Sequence, residues 1–338
     1  MKEKIIAICL TVLSVSGWAQ PAGNLSIQEI LTTARANLQR PPVAMDIETI
    51  TSALDPNGLK PPKILQKELV QYRIDGRRID IVTDRFAPDK SGQLISDDFS
   101  TRRFFNGTVA FFSQNSAGFQ TFTLQSPESV QMDATFVPAH GNSLDGYFSH
   151  NNRDGHWTVV LDKEINRVVL SDKNEMIEGI SCLVLKADTS CGNYTLWLDP
   201  QEKYCLRKAH IIMDSNDRVW GKLLKESSIP LQCYGPDNRR YFQSMEVILS
   251  VVKTETVDGK TIPVEGLYAE HWTFNDGSRM DNQYQIRRRN IVFNPDFSAL
   301  GAFEMNMPDG TVFQEALGGG NYKKYTWSQG KLIPVDKK

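Results

Sequence analysis

The chain has 338 residues, 40% of them apolar, with 38 basic against 40 acidic side chains. That length is enough to bury one large core or two modest ones. The near-neutral, interspersed charge excludes a polyelectrolyte tail and leaves no electrostatic footprint for nucleic acid or an anionic membrane surface.

Residues 1–19 read as a secretory signal. Lys2 and Lys4 precede the apolar run Ile5–Val15, and Gly17-Trp18-Ala19 supplies small residues before a cut near Ala19–Gln20. The run is too short for a stable bilayer anchor, and Cys9 lies inside it rather than at the cut. An exported, soluble protein of a Gram-negative-type periplasm is the expectation, with a retained anchor as the alternative. Cys182, Cys191, Cys205 and Cys233 then remain. Export favours one or two disulfides among them, with three connectivities open. Zinc is the rival reading, but no pair has knuckle spacing.

Ser26-Ile-Gln-Glu29 is a capping box, and Ile27, Ile30, Leu31, Ala34 and Leu38 recur at helical spacing until Pro41-Pro42. The period then changes to two. In "VQYRIDGRRIDIVT" a two-residue loop at Gly76-Arg77 pairs Ile74 with Ile79 and Tyr72 with Ile81 on one face. The same register pairs Asp75 with Arg78 and Arg73 with Asp80 on the other. Asn106-Gly107 signals a second hairpin that sets Phe104, Val109 and Phe111 on one face, and "GFQTFTLQ" is a further strand. From about 127 to 163 the rhythm breaks in a Gly-, Asn- and His-rich stretch, expected as a lid. Strands resume at Arg167–Leu170, Ile180–Ala187, Tyr194–Leu198, Tyr204–Met213, Phe242–Thr256, Thr261–Phe274 and Gln283–Phe293. The pattern predicts a mainly β fold: a curved, unclosed antiparallel sheet, or half-barrel, over residues 20–310. An N-terminal helix and the lid pack on its concave side. Residues 311–338 are expected as a loosely attached extension.

Catalytic motifs are not evident. His140, His150 and His156 fall in or beside the lid, where solvent-exposed positions are expected and a metal role for His150, Asp154 and His156 is the minor reading. His210 and His271 read as ordinary strand positions. Arg287-Arg288-Arg289 alternates faces within one strand, so it cannot form a single patch, and reads as a solvated strand. Gly318-Gly319-Gly320 has neither the strand nor the helix of a phosphate loop and reads as a joint. No cofactor or metal is expected.

The positive signal is apolar. One good helix cannot cover a sheet of about ten strands, so the sheet either closes on itself or holds a ligand on its concave face. A sixteen-carbon acyl chain brings roughly 12 kcal/mol gross at ~0.8 kcal/mol per methylene. Tyr72, Ile74, Ile79, Ile81, Phe104, Val109 and Phe111, with Leu196 and Leu198, are the expected lining.

The stretch Glu175 to Met213 resembles the periplasmic lipoprotein-carrier superfamily of LolA and LolB. It carries Gly179, Cys182 and Leu185 on one strand, then Trp197-Leu198-Asp199-Pro200 and a return strand from Tyr204 to Arg207. The resemblance implies an open curved sheet covered by helices, with a cavity for acyl chains. It also implies an arginine that touches the lid, for which Arg73, Arg77 and Arg78 are not assigned. The expectation is a monomeric, non-enzymatic protein that shelters a lipid or the acyl moiety of a lipidated protein, and that meets other envelope proteins. The alternatives are an envelope-sensing interaction module with a dry core, and a periplasmic hydrolase.

Overall fold

The computed structural model describes residues 26–38, 41–55, 59–130, 141–148, 156–219, 221–230, 239–318 and 321–335. Residues 1–19, expected as a signal segment, and His140, His150, Asp154 and Cys233 therefore lie outside the described residues.

The helix α1 (Ile27–Leu38) begins at the expected capping box. The Glu29 amide donates to the Ser26 hydroxyl at 3.2 Å, and the Ser26 amide donates to the Glu29 carboxylate at 2.9 Å. Its apolar stripe, Ile30, Leu31 and Ala34, is buried.

One large curved sheet follows, and it does not close into a barrel. Its middle is β1 (Val43–Ala53). On one side β1 pairs with β2 (Lys63–Asp75), followed by β3 (Arg78–Pro88), β4 (Leu94–Phe105), β5 (Ala110–Ser116) and β6 (Phe119–Leu124). On the other side it pairs with β17 (Arg279–Phe293), followed by β16 (Lys260–Phe274), β15 (Arg239–Val257), β11 (Cys205–Met213), β10 (Gly192–Asp199) and β9 (Ile180–Thr189). The far edge is shared by β7 (Val168–Leu170) and β8 (Glu175–Ile177), and β14 (Ser228–Pro230) adds to the end of β15. A separate small hairpin joins β12 (Arg218–Val219) to β13 (Lys222–Leu223).

One expectation about the sheet is corrected: the C-terminal segment is integral rather than loosely attached. β18 (Val312–Gly318), β19 (Asn321–Ser328) and β20 (Lys331–Pro334) extend the sheet beyond β6, with Phe313 fully buried. The sheet is antiparallel as expected, except that β18 runs parallel to β6 among the described pairings.

The β2–β3 hairpin has the expected register, with Ile74 opposite Ile79 and Tyr72 opposite Ile81. The β4–β5 turn is wider than expected. The Asn106 side-chain oxygen accepts from the amides of Thr108 and Val109, each at 3.0 Å, so four residues fill the turn and Phe104 faces Phe111. Parity is kept, and Phe104, Val109 and Phe111 still share a face.

That face is not the one carrying Ile79 and Ile81. Phe104 sits opposite Asp80, between the two isoleucines in the strand alternation. Side chains therefore divide into two cores. The main core lies on the inner, concave side under α1 and contains Tyr72, Ile79, Ile81, Leu196 and Leu198, with Ile74 packed against it. A second core on the outer side contains Phe104, Phe111, Phe122, Phe313 and Trp327, with Val109 packed against it. Phe104 and Phe111 stack at 4.8 Å between centroids, and Phe313 meets Phe111 edge-on at 5.7 Å. The single nine-residue lining set is thus split by the sheet itself: Phe104, Val109 and Phe111 anchor the C-terminal strands instead.

Candidate functional site

The inner face is covered by a plug built from two described pieces of the lid region. One is a 3-10 turn at Asn142–Asp145 within residues 141–148, and the other is the helix α2 (Trp157–Lys163). Leu144, Phe148, Trp157, Val160 and Leu161 of the plug are buried in the main core. Phe148 stacks on Tyr268 of β16, with centroids 6.4 Å apart.

Two glycines are shaped to the plug. A Cβ on Gly266, within β16, would stand 2.5 Å from Leu144 Cδ2 and 2.7 Å from the Ser250 carbonyl. The missing side chain is the seat for Leu144. At Gly146 a Cβ would meet the Trp157 ring at 2.3 Å, and its φ of +92° also favours glycine.

A single arginine holds the plug down. Arg288 of β17 is fully buried and forms a forked ion pair with Asp145, at 3.0 and 2.6 Å. The same guanidinium donates to the Gly141 carbonyl at 2.7 Å and to the Pro263 carbonyl at 2.9 Å. Its planar fork suits this bidentate task. The Arg287-Arg288-Arg289 run is therefore not simply a solvated strand, which corrects that expectation. Alternation turns Arg288 inward, whereas Arg287 lies outside beside Glu48 and Glu265 in a cross-strand charge ladder.

His156 joins the two plug pieces, and it is buried rather than solvent-exposed as expected. The Thr158 amide donates to Nδ1 at 3.1 Å, which makes Nδ1 the bare nitrogen. Nε2–H then donates to the Asp145 carbonyl at 2.8 Å. The ring caps α2 and ties that helix to the 3-10 turn. Burial pushes its pKa down to about 4; the Asp145 carbonyl and carboxylate pull it up, and Arg35 adds to the depression. From α1, Arg35 also donates to the Thr158 carbonyl at 3.0 Å and to Asp162 at 3.1 Å.

Two spaces flank Asp145. One is about 20 Å³, room for about one water, between α1, Trp157, Tyr204 and Ile262. The other is an open cleft of about 190 Å³ lined by Leu38, Val43, Tyr72, Ile74, Asn142 and Tyr147. Only Tyr72 and Ile74 of the expected lining reach such a space. Ile79, Ile81, Leu196 and Leu198 are on the inner face but are covered by core packing. Away from the plug the inner face turns polar. Tyr268 donates to Glu270 at 2.6 Å, and burial pushes the Glu68 carboxyl up against the pull of Arg85 and Arg103.

The W-L-D-P hairpin is structural. Leu196 and Leu198 point into the main core, while Trp197 lies outside against Cys182 and Val184 and donates to Glu175 at 2.8 Å. Asp199 is buried, accepting from Arg207 at 2.7 and 3.1 Å and from the Gln201 amide at 3.0 Å.

No disulfide joins Cys182, Cys191 or Cys205 to one another, which corrects the expectation for these three. Cys182 and Cys205 lie on strands separated by β10, beyond disulfide reach. Among the described residues no cluster of three or more His, Cys, Asp or Glu is arranged to hold a metal ion.

No family model matches the chain, and no curated protein matches it. Among solved structures, MucB in complex with MucA(peri) is similar over 79% of this chain and 99% of that one, at 8% identity and a TM-score of 0.18. At that score the two chains do not superpose closely, and the plug stands on its own residues.

Proposed function

We propose that this is an exported, non-enzymatic binding protein of the cell envelope that shelters an acyl chain or similar apolar ligand on the inner face of its sheet. The supporting observation is the plug. Leu144 and Phe148 occupy an apolar face through a short segment that no described strand pairs into the main sheet, and one buried guanidinium pins it. Such a segment stands in for a ligand and gives way to it. The exposed alternative is costly, at ~25 cal/mol per Å² of apolar surface, so exchange of plug for ligand keeps the face covered throughout. Export rests on the basic, apolar and small-residue order of residues 1–19. The LolA-like reading rests on the Glu175–Met213 motif and on the open curved sheet with its inner cover.

A second reading has its own support. Ligand sites are usually about 300–1,000 Å³, and the two spaces beside Asp145 are smaller. A dry-core interaction module of the envelope fits that closed state. Mass spectrometry of solvent extracts from gently purified protein separates the two. Stoichiometric lipid supports the binding protein, whereas lipid-free protein that also fails to take up a fluorescent fatty acid rejects it.

A further inference from the structure

The joint between the two plug pieces has a chemistry that fatty-ligand shelter does not require. His156 is enclosed and uses both ring nitrogens: Nε2–H donates to the Asp145 carbonyl, and Nδ1 accepts from the Thr158 amide at 3.1 Å and lies 2.7 Å from the Thr158 hydroxyl. Adding a proton at Nδ1 removes the acceptor of the Thr158 amide and so breaks the cap of α2, although the Thr158 hydroxyl, 2.7 Å away, can turn to accept the new N–H. It also places a cation in a desolvated pocket. The charged groups facing this ring are few. From its own side comes Asp145, already forked by Arg288 of β17. From α1 comes Arg35, which is partnered by Asp162 of α2. The rings of Tyr147 and Trp157 complete the surroundings, at 4.9 and 5.5 Å between centroids. No described carboxylate is free to receive the new cation, because Asp145 is already committed to Arg288 and Asp162 to Arg35.

We infer that His156 is an acid-operated release for the plug: protonation of Nδ1 uncouples α2 from the 3-10 turn and opens the inner face. This regulation rests on the reading that the plug guards that face, but its test reads the plug alone. The proton balance is one per opening, taken up at Nδ1 from solvent. With the ring near its ordinary value of 6.5 when open and about 4 when closed, the open fraction rises about twentyfold between pH 7 and pH 5.

Hydrogen exchange of the full chain, expressed as protection factors, measures this. The amides of Leu144, Gly146, Tyr147 and Trp157, each hydrogen-bonded within the plug, report opening, and those of Leu196 and Ala209 in β10 and β11 report the sheet. The expected result is a twentyfold loss of plug protection by pH 5 with the sheet unchanged. His156→Asn, which keeps a capping oxygen without a titrating ring, abolishes that loss. Plug protection that ignores pH, or an unchanged acid response in His156→Asn, overturns the inference. Should that variant fold poorly, the carbon-13 shift of the His156 ring in the native chain decides. Titration near 4 while the plug is closed agrees, and titration near 6.5 overturns. A pH-insensitive plug on a protein that still extracts with lipid would reject the release and leave the binding role standing.

Discussion

Replacing Arg288 by methionine removes the plug's hold while keeping most of the side-chain volume. The change leaves the buried Asp145 carboxylate and the Gly141 and Pro263 carbonyls without the four donations they receive. Deleting one partner of a buried ion pair costs about 3–5 kcal/mol. The protein can shed most of that cost locally, because moving residues 141–148 outward returns Asp145 and Gly141 to water. Three kcal/mol is about two powers of ten in population. At pH 7, plug amides of Arg288→Met therefore lose at least about a hundredfold in protection while Leu196 and Ala209 hold theirs. The double variant Arg288→Met with Asp145→Leu replaces the pair by apolar groups and recovers most of the closed state. Hydrogen exchange on the four variants of the cycle is the assay. Plug protection unchanged in Arg288→Met, or a double variant no better than the single one, would refute the latch.

Three further outcomes follow from particular contacts. Phe111→Ala removes the centre of the outer aromatic core, so urea denaturation should show a loss of about 3–5 kcal/mol, with plug protection and any lipid content unaltered. Gly266→Ala puts a methyl group where Leu144 and the Ser250 carbonyl already stand. It should cost about 1–3 kcal/mol by overpacking, and Leu144→Ala should cost less in that background than in the native chain. At alkaline pH, burial holds the Cys205 thiol up to about 12, above its ordinary 9. The unfolded chain gives up that proton first, so stability present below pH 9 is lost as pH climbs toward 12. The denaturant midpoint should fall over that window, and less steeply in Cys205→Ala.

Much of the sheet was legible because strand alternation is a local signal. The Ile74–Ile79 and Tyr72–Ile81 pairs, the capping box and most later strands follow from parity and turn residues alone. β1 was equally readable, since Val43, Met45, Ile47, Thr49 and Thr51 alternate inward, yet the proline pair before it draws attention to the helix end. What parity cannot say is which of a strand's two faces meets which cover. Phe104 and Ile79 are both apolar, the β3–β4 register sets them on opposite faces, and only the return of β18–β20 gives the face of Phe104 a cover of its own. The latch was hidden for a related reason. A run of three arginines reads as solvated until one knows that β17 is central, where alternation forces the middle one inward and a carboxylate 143 residues away must meet it. The one available clue was that an inward charge on a central strand demands a buried partner. Asp145, in the irregular stretch from about 127 to 163, was a candidate for it.

The two-core arrangement also explains how such a plug can be released without loss of the fold. Sheet cohesion is spread over long ladders, such as the fourteen register pairs between β15 and β16, and no single contact decides it. The plug's hold is concentrated instead in one guanidinium, one imidazole and the seat at Gly266. Opening it bares the inner face only, because Phe104, Phe111 and Phe122 are closed from outside by Phe313 and Trp327. The outer core therefore does for the open state what the plug does for the closed one. It keeps one side of the β3–β6 sheet dry while the other exchanges its cover, and that is why substitutions in the two cores should act independently.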